Sequence, residues 1–194
     1  TDASSSNNLS TFYESEKIHA EAIIVSDYSF EYSHWNEVKS LSEWLQEEQV
    51  DGVYGIDTRE LTKQLRENGS MKGKLIPENG EDIDFVDPNL INQVAKVSCK
   101  EVIRYGTGKK KIVLVDCGVK HNILRCLLKR DVTVIRVPWD YDFNQLDFDG
   151  LFISNGPGDP DTCQATVNNI RKAMQGDFPI FGICMGNQLL AKAG

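Results

Sequence analysis

Four apolar runs in the second half of the chain constrain its fold more than any other feature. They are Ile112-Val113-Leu114-Val115, Val132-Thr133-Val134-Ile135-Arg136-Val137, Leu151-Phe152-Ile153-Ser154 and Pro179-Ile180-Phe181-Gly182-Ile183. Each reads as a short strand, and the first, Ile112 to Val115, is a continuous apolar run, as expected for a buried parallel strand. Ile123, Leu124, Leu127 and Leu128 follow the first run at helical spacing, and another helix is expected from about Thr162 to Met174. Strands alternating with helices predict a parallel, doubly wound α/β sheet. Ligands of such sheets bind outside the carboxyl ends of the strands, so the residues after each run are where chemistry is expected.

Two strand ends stand out. After the third run comes Ser154-Asn155-Gly156-Pro157-Gly158-Asp159-Pro160. Glycine allows close backbone approach and proline fixes φ, so this rigid turn can aim backbone N–H groups at an oxyanion or carboxylate. It lacks the GK[ST] ending of a P-loop and the spacing of a dinucleotide fingerprint. An ordinary tight turn is the alternative. After the fourth run comes Gly182-Ile183-Cys184-Met185-Gly186. Gly-x-Cys-x-Gly at a strand-to-helix turn is the cysteine form of the nucleophile elbow. The bend lifts the thiol above the sheet edge, the glycines make room for it, and the Met185 N–H can face a developing oxyanion. A buried structural cysteine is the competing reading.

The chain has five cysteines: Cys99, Cys117, Cys126, Cys163 and Cys184. The odd count and the absence of a CxxC pair point to neither a disulfide framework nor a zinc site. Cys126, beside Leu127, is expected in the core. A thiol nucleophile needs a base. His19 and His34 read as structural or surface residues, and His121 is expected to open a helix near the sheet edge. None of the ten residues after Cys184 is a histidine.

The first half is less regular. Thr1 to Ser10 reads as a loose lead-in, Ala22 to Val25 as a strand, and about Glu37 to Glu48 as an amphipathic helix carrying Val38, Leu41 and Leu45. A helix with a capping-box-like start at Asp57-Thr58-Arg59-Glu60 should stop at Asn68-Gly69, and a third should run from about Asn89 to Lys96. Residues 1–105 hold 20 acidic and 10 basic side chains, whereas residues 106–194 hold 9 and 11. This step coincides with Gly106-Thr107-Gly108-Lys109-Lys110, which reads as a linker, so domains are expected at 1–105 and 111–194 joined by 106–110.

At 194 residues with 40% hydrophobic content the chain can build a core, and its net charge of −8 argues against a nucleic-acid module. No apolar run approaches the roughly 18 residues of a membrane span, and no signal peptide is evident, so a cytoplasmic setting is expected. The chain begins with Thr1 and stops at Gly194 just after an apolar run, which suggests a piece of a longer protein.

These motifs together resemble a known family. The glycine–proline loop followed by the cysteine elbow is similar to the class I glutamine amidotransferase domain of carbamoyl-phosphate synthetase. Gly55-Ile56-Asp57-Thr58-Arg59-Glu60-Leu61-Thr62, Val97-Ser98-Cys99-Lys100-Glu101-Val102 and Asp116-Cys117-Gly118-Val119-Lys120-His121-Asn122 resemble the small chain of the same family. Ser33-His34-Trp35 and Pro138-Trp139-Asp140 lean toward its eukaryotic multifunctional version, which joins the synthetase to aspartate transcarbamoylase and dihydroorotase. The resemblance spans residue 12 to the end. It implies a small-chain α/β domain followed by the first half of a flavodoxin-like amidotransferase domain.

The resemblance also assigns roles. Cys184 matches the nucleophile that attacks the glutamine side-chain amide. The backbone at Gly156 and Met185 matches the oxyanion hole, and Gly156, Gly158, Met185 and Gln188 match positions that hold L-glutamine. No metal is implied in this segment. ATP and Mg²⁺ are implied only for a synthetase domain or large chain that receives the ammonia and combines it with bicarbonate. Asn187 stands where the family usually has His, and Met185 where it commonly has Leu. The family's catalytic His and Glu come well downstream of the nucleophile, which implies that this chain alone does not hydrolyse glutamine. Another class I amidotransferase, a cysteine-elbow hydrolase and a non-catalytic regulatory module are the alternatives.

Overall fold

The computed structural model describes residues 13–31, 33–35 and 38–194. The lead-in before Ser10, and Glu37 at the expected start of the first helix, lie outside the described residues. The compact units divide between Val86 and Asp87: residues 17–86 form one, and residues 13–16 with 87–194 the other. The charge step at residue 106 therefore does not coincide with the division.

The smaller unit is built on a β–α–β turn. Strand β1 (Ala22–Ile24) pairs in parallel with β2 (Asp51–Val53), with Ile23 opposite Gly52. Helix α1 (Leu41–Glu47) connects them and buries Leu45. Its start is set by Ser40, whose hydroxyl accepts the Glu43 N–H at 3.1 Å while the Glu43 carboxylate accepts the Ser40 N–H at 2.7 Å. This capping box begins the helix at Leu41, and Val38, expected inside it, is 83% exposed. Helix α2 (Thr58–Asn68) starts as expected at the Asp57 cap, which accepts the Glu60 N–H at 2.9 Å, and stops at Gly69 with φ of +78°. Tyr28, Phe30 and Tyr54 form an edge-packed aromatic group beside the two strands.

In the larger unit, α3 (Gln93–Val97) follows a 3-10 turn at Pro88–Leu90. Strand β3 (Ile103–Tyr105) leads through Gly106 and Gly108 to β4 (Lys110–Asp116), α4 (His121–Leu128) and β5 (Val132–Pro138). Then come β6 (Gly150–Ile153), α5 (Gln164–Ala173), β7 (Ile180–Gly182) and α6 (Met185–Ala193). The sheet order is β3-β5-β4-β6-β7. Its four parallel strands, β5-β4-β6-β7, follow the 2-1-3-4 start of the flavodoxin-like arrangement, and β3 runs antiparallel along the β5 edge.

Strand β3 is absent from the sequence reading, and the expected linker after it is packed structure. A Cβ at Gly108 would lie 1.9 Å from the Asp131 carbonyl oxygen, and Thr133 Oγ1 donates to the Gly108 carbonyl at 2.7 Å. Glycine is required there by close backbone approach.

Strand β4 is buried on both faces, as its continuous apolar run predicts, whereas Phe181 on the edge strand β7 is 59% exposed. Val113, Val115, Ile135, Val137 and Ile153 pack with Val167 and Ile170 of α5 and Leu189 of α6. Leu114 and Val134 point to the other face, against Leu124 of α4. Cys126 is exposed, contrary to expectation: two residues beyond Leu124, it falls on the outer side of α4.

Candidate functional site

The site grows from the neighbouring ends of β6 and β7, which are in register at Ile153 and Gly182. Beyond β7 the chain turns sharply at Cys184, whose φ of +52° and ψ of −109° are strained for a residue with a side chain. The turn is held by the Ile183 N–H, which donates to Ile153 O at 3.0 Å, and by the Gly186 N–H, shared between Ser154 O at 3.1 Å and Ile183 O at 2.9 Å. Both flanking glycines are sterically required. A Cβ on Gly182 would lie 2.5 Å from the Gly186 carbonyl carbon, and one on Gly186 would lie 2.3 Å from Ile153 O. The result is an exposed thiol at the amino end of α6, the elbow geometry expected from spacing.

Helix α6 is fixed at both ends. Met185 and Leu189 are buried in the core below it. At its far end Arg171 donates from Nε to Ala193 O at 3.1 Å and from Nη2 to Lys192 O at 3.0 Å, satisfying carbonyls that lack helical partners. Among the described residues no acceptor takes the Met185 N–H. Gln188 lies one turn beyond Cys184 and is exposed, its N–H donating to Cys184 O at 3.1 Å.

The glycine–proline loop begins where β6 ends. Ser154 is fully buried; its Oγ accepts the Cys117 N–H at 2.9 Å and donates to Asn155 O at 2.8 Å. Asn155 Nδ2 donates to Gly118 O at 3.0 Å. Gly156 lies flat on the loop after β4: a Cβ there would sit 2.2 Å from Cys117 O. Gly158 has φ of +81° and abuts Gln93 at the start of α3. Asp159 closes the turn by accepting the Asp161 N–H at 2.8 Å. The Gly186–Ser154 bond thus brings the elbow and this loop together.

His121, the only histidine in the larger unit, is 4% exposed at the first residue of α4. Its Nδ1 has no partner, and burial, with the Arg136 charge next, lowers its pKa below 6.5. No hydrogen bond joins it to Cys184. Burial pushes the Cys99 thiol up to about 12 and raises the Cys117 and Cys163 thiols, which suits structural rather than reactive roles.

Sequence reasoning missed the buried support of the loop. Asp116 at the end of β4 pairs with Arg136 in the middle of β5, Arg136 Nη2 lying 2.6 Å from Asp116 Oδ2. The signal was present: a single arginine inside an apolar strand run.

Comparison with known proteins places the two segments. Residues 6–75 match the carbamoyl-phosphate synthase small chain, CPSase domain, and residues 113–194 match glutamine amidotransferase class-I. The chain is 50% identical over 197 aligned residues to a mitochondrial carbamoyl-phosphate synthase (ammonia) of Aquarana catesbeiana, covering 100% of this chain and 13% of that protein. It is 49% identical to multifunctional protein pyr1-3 of Dictyostelium discoideum, covering 96% of this chain and 9% of that protein. It is 44% identical to the carbamoyl phosphate synthase arginine-specific small chain of Saccharomyces cerevisiae, covering 96% of this chain and 48% of that one. The chain therefore spans less than half the length of each of these relatives. With both segments matched in order and the identity sustained across them, the chain carries a carbamoyl-phosphate synthase small-chain segment at residues 6–75 and a class I glutamine amidotransferase segment at residues 113–194.

Proposed function

We propose that this chain carries the glutamine-hydrolysing site of a carbamoyl-phosphate synthase. The observation that supports it most is the exposed Cys184 thiol on a strained elbow, hydrogen-bonded through Gly186 to the loop that bears Gly156 and Gly158. Similarity alone does not carry the glutamine reading, since one close relative is named for ammonia.

In this reaction L-glutamine lies along the Gly156–Gly158 loop and α6, with Gln188 at its side. The Cys184 sulfur attacks the side-chain amide carbon, and the carbonyl π electrons move to oxygen. The backbone N–H groups of Met185 and Gly156 donate to that oxyanion; one such donor contributes about 10²–10³ in rate in enzymes of this chemistry. Collapse of the intermediate breaks the C–N bond. Nitrogen leaves as ammonia after taking a proton from a general acid, and a glutamyl thioester remains on Cys184. Water then attacks the thioester, releasing glutamate and restoring the thiol. We assign the base that takes the thiol proton and returns it to an imidazole from outside this chain, since His121 of the larger unit is buried and makes no hydrogen bond to Cys184.

Ammonia passes to a synthetase domain or large chain that uses bicarbonate and ATP with Mg²⁺. Among the described residues no group of three or more His, Cys, Asp or Glu side chains could hold a metal ion. The Ser33-His34-Trp35 and Pro138-Trp139-Asp140 motifs support a place in pyrimidine synthesis in a multifunctional cytoplasmic polypeptide. No helix among the described residues is long and apolar enough to cross a membrane.

The test is Cys184→Ser in the natural full-length protein. Carbamoyl phosphate formation from glutamine should fall by at least about 10³-fold, while formation from ammonia persists. Equal loss of both activities, or loss of neither, would contradict the proposal.

A further inference from the structure

Gly156 takes its position from the loop beneath it, residues 116–120, which joins β4 to α4. One buried carboxylate organises that loop. Asp116, fully buried, accepts the Gly118 and Val119 N–H groups on Oδ1 at 2.9 and 2.8 Å, and the Cys99 N–H on Oδ2 at 2.8 Å. Arg136 closes on the same Oδ2 with Nε at 2.8 Å and Nη2 at 2.6 Å, and its Nη1 reaches the Tyr105 hydroxyl at 3.5 Å. Burial alone pulls the guanidinium pKa down, but the Asp116 charge and these hydrogen bonds hold it above its ordinary value. A buried ion pair of this kind is poor evidence of net stabilisation, because apolar replacements commonly do as well. Its effect here is geometric: it fixes two strands and two successive N–H groups of the loop to one point.

The glycine–proline loop grips the same segment from above. Ser154 Oγ takes the Cys117 N–H, Asn155 Nδ2 donates to Gly118 O, and the Lys120 N–H reaches Asn155 Oδ1 at 3.4 Å. The carboxylate thus holds residues 116–120 from below and Asn155 holds them from above, with Gly156 resting on Cys117 between.

We infer that the Asp116–Arg136 pair is a positioning device for the amide-binding loop, setting the orientation of the Gly156 peptide toward the oxyanion formed at Cys184. This rests on the glutaminase reading above. Neither Asp116 nor Arg136 touches the substrate. They act through the Cys117–Gly118 backbone, and a displacement of about 1 Å there is enough to lower the rate by up to about 10²-fold.

The experiment uses two variants of the natural full-length protein. Arg136→Lys keeps the charge but loses the fork that spans Nε and Nη2. Asn155→Ala leaves the ion pair intact and cuts the upper grip. Both should lower kcat for glutamine hydrolysis about tenfold or more, with KM for glutamine moving less than about threefold. Carbamoyl phosphate formation from ammonia and the rate of Cys184 alkylation by iodoacetamide should stay near the wild-type level, because the thiol sits between β7 and α6 and neither substitution removes the Gly186–Ser154 bond that seats it. Wild-type kcat in either folded variant would overturn the inference. So would an equal fall in ammonia-dependent activity, which would make the network a general stability element. Should Arg136→Lys fail to fold, Asp116→Asn, which keeps the Oδ1 acceptor and removes the charge, is read in the same assays and decides in its place. A wild-type protein that hydrolyses no glutamine fails on the glutaminase reading itself, before any variant is compared.

Discussion

The Gly186 N–H donates to the Ser154 carbonyl at 3.1 Å, tying the first turn of α6 to the first residue of the glycine–proline loop. The two halves of the site therefore do not move independently. The bond exists because Gly186 lies against the end of β6, where a Cβ would be 2.3 Å from Ile153 O.

Gly186→Ala should push α6 away from β6 and break this bond. Overpacking of this kind costs about 1–3 kcal/mol. Glutamine hydrolysis should fall by more than about tenfold, since the thiol and the oxyanion donors separate. Kinetics with glutamine and with ammonia in the full-length protein check it: only the first should suffer.

Cys184 holds a φ of +52°, a conformation that costs a residue with a side chain about 1–3 kcal/mol. Cys184→Gly should relieve that strain, and the stabilisation should be about 1 kcal/mol after the added freedom of the unfolded chain is counted. Hydrogen exchange at the α6 amides should slow while glutamine hydrolysis disappears. Faster exchange would mean the elbow is not strained.

Helix α4 is capped from far away in the chain. Its flanking residue, Lys120, makes no side-chain cap, and Glu14 serves instead. The Glu14 carboxylate accepts the Asn122 N–H at 2.9 Å and the Arg125 guanidinium at 2.6 Å, while the Glu14 carbonyl accepts the His121 N–H at 2.9 Å. The Asn122 hydrogen bond is the main cause of a Glu14 pKa below its ordinary 4.5; partial desolvation opposes it and Arg125 adds to it. A lowered carboxyl pKa contributes stability that is fully present above 4.5 and is lost as pH falls through the folded-state value. Glu14→Gln should weaken the α4 start by about 1 kcal/mol at neutral pH. It should also remove this acid sensitivity, as protection of the α4 amides would report.

His121 gives the opposite group and the same sign. Burial first, then the Arg136 charge, keeps its folded pKa below 6.5. The unfolded chain therefore binds more protons between those values, and stability is lost as pH falls below 6.5. His121→Gln should flatten that part of the profile. An unchanged slope in amide protection at α4 would show that another group is responsible.

The parts legible in the sequence are those whose signal is local. Strands β4 to β7 announce themselves as short apolar runs alternating with helical spacing, and β4, buried on both faces, is apolar from Ile112 to Val115. The elbow is legible because two glycines and a cysteine at fixed spacing have few other reasons to occur between a strand and a helix. Strand β3 is not, because Ile103-Arg104-Tyr105 is three residues long and is defined by its antiparallel pairing with β5. The α1 start is misjudged because Val38 extends the apolar spacing, whereas the Ser40–Glu43 capping box decides the boundary. Asp116 and Arg136 meet only once β4 and β5 lie side by side, so their partnership is a property of topology and not of spacing.

The central claim is that Cys184 is the nucleophile toward a glutamine amide. The most direct measurement is mass-spectrometric mapping of the natural full-length protein after reaction with a glutamine-like electrophile. A single adduct on the tryptic peptide containing Cys184, suppressed by excess L-glutamine and absent in Cys184→Ser, is the predicted result. Labelling that survives Cys184→Ser, or an adduct confined to Cys99, Cys117, Cys126 or Cys163, would contradict it.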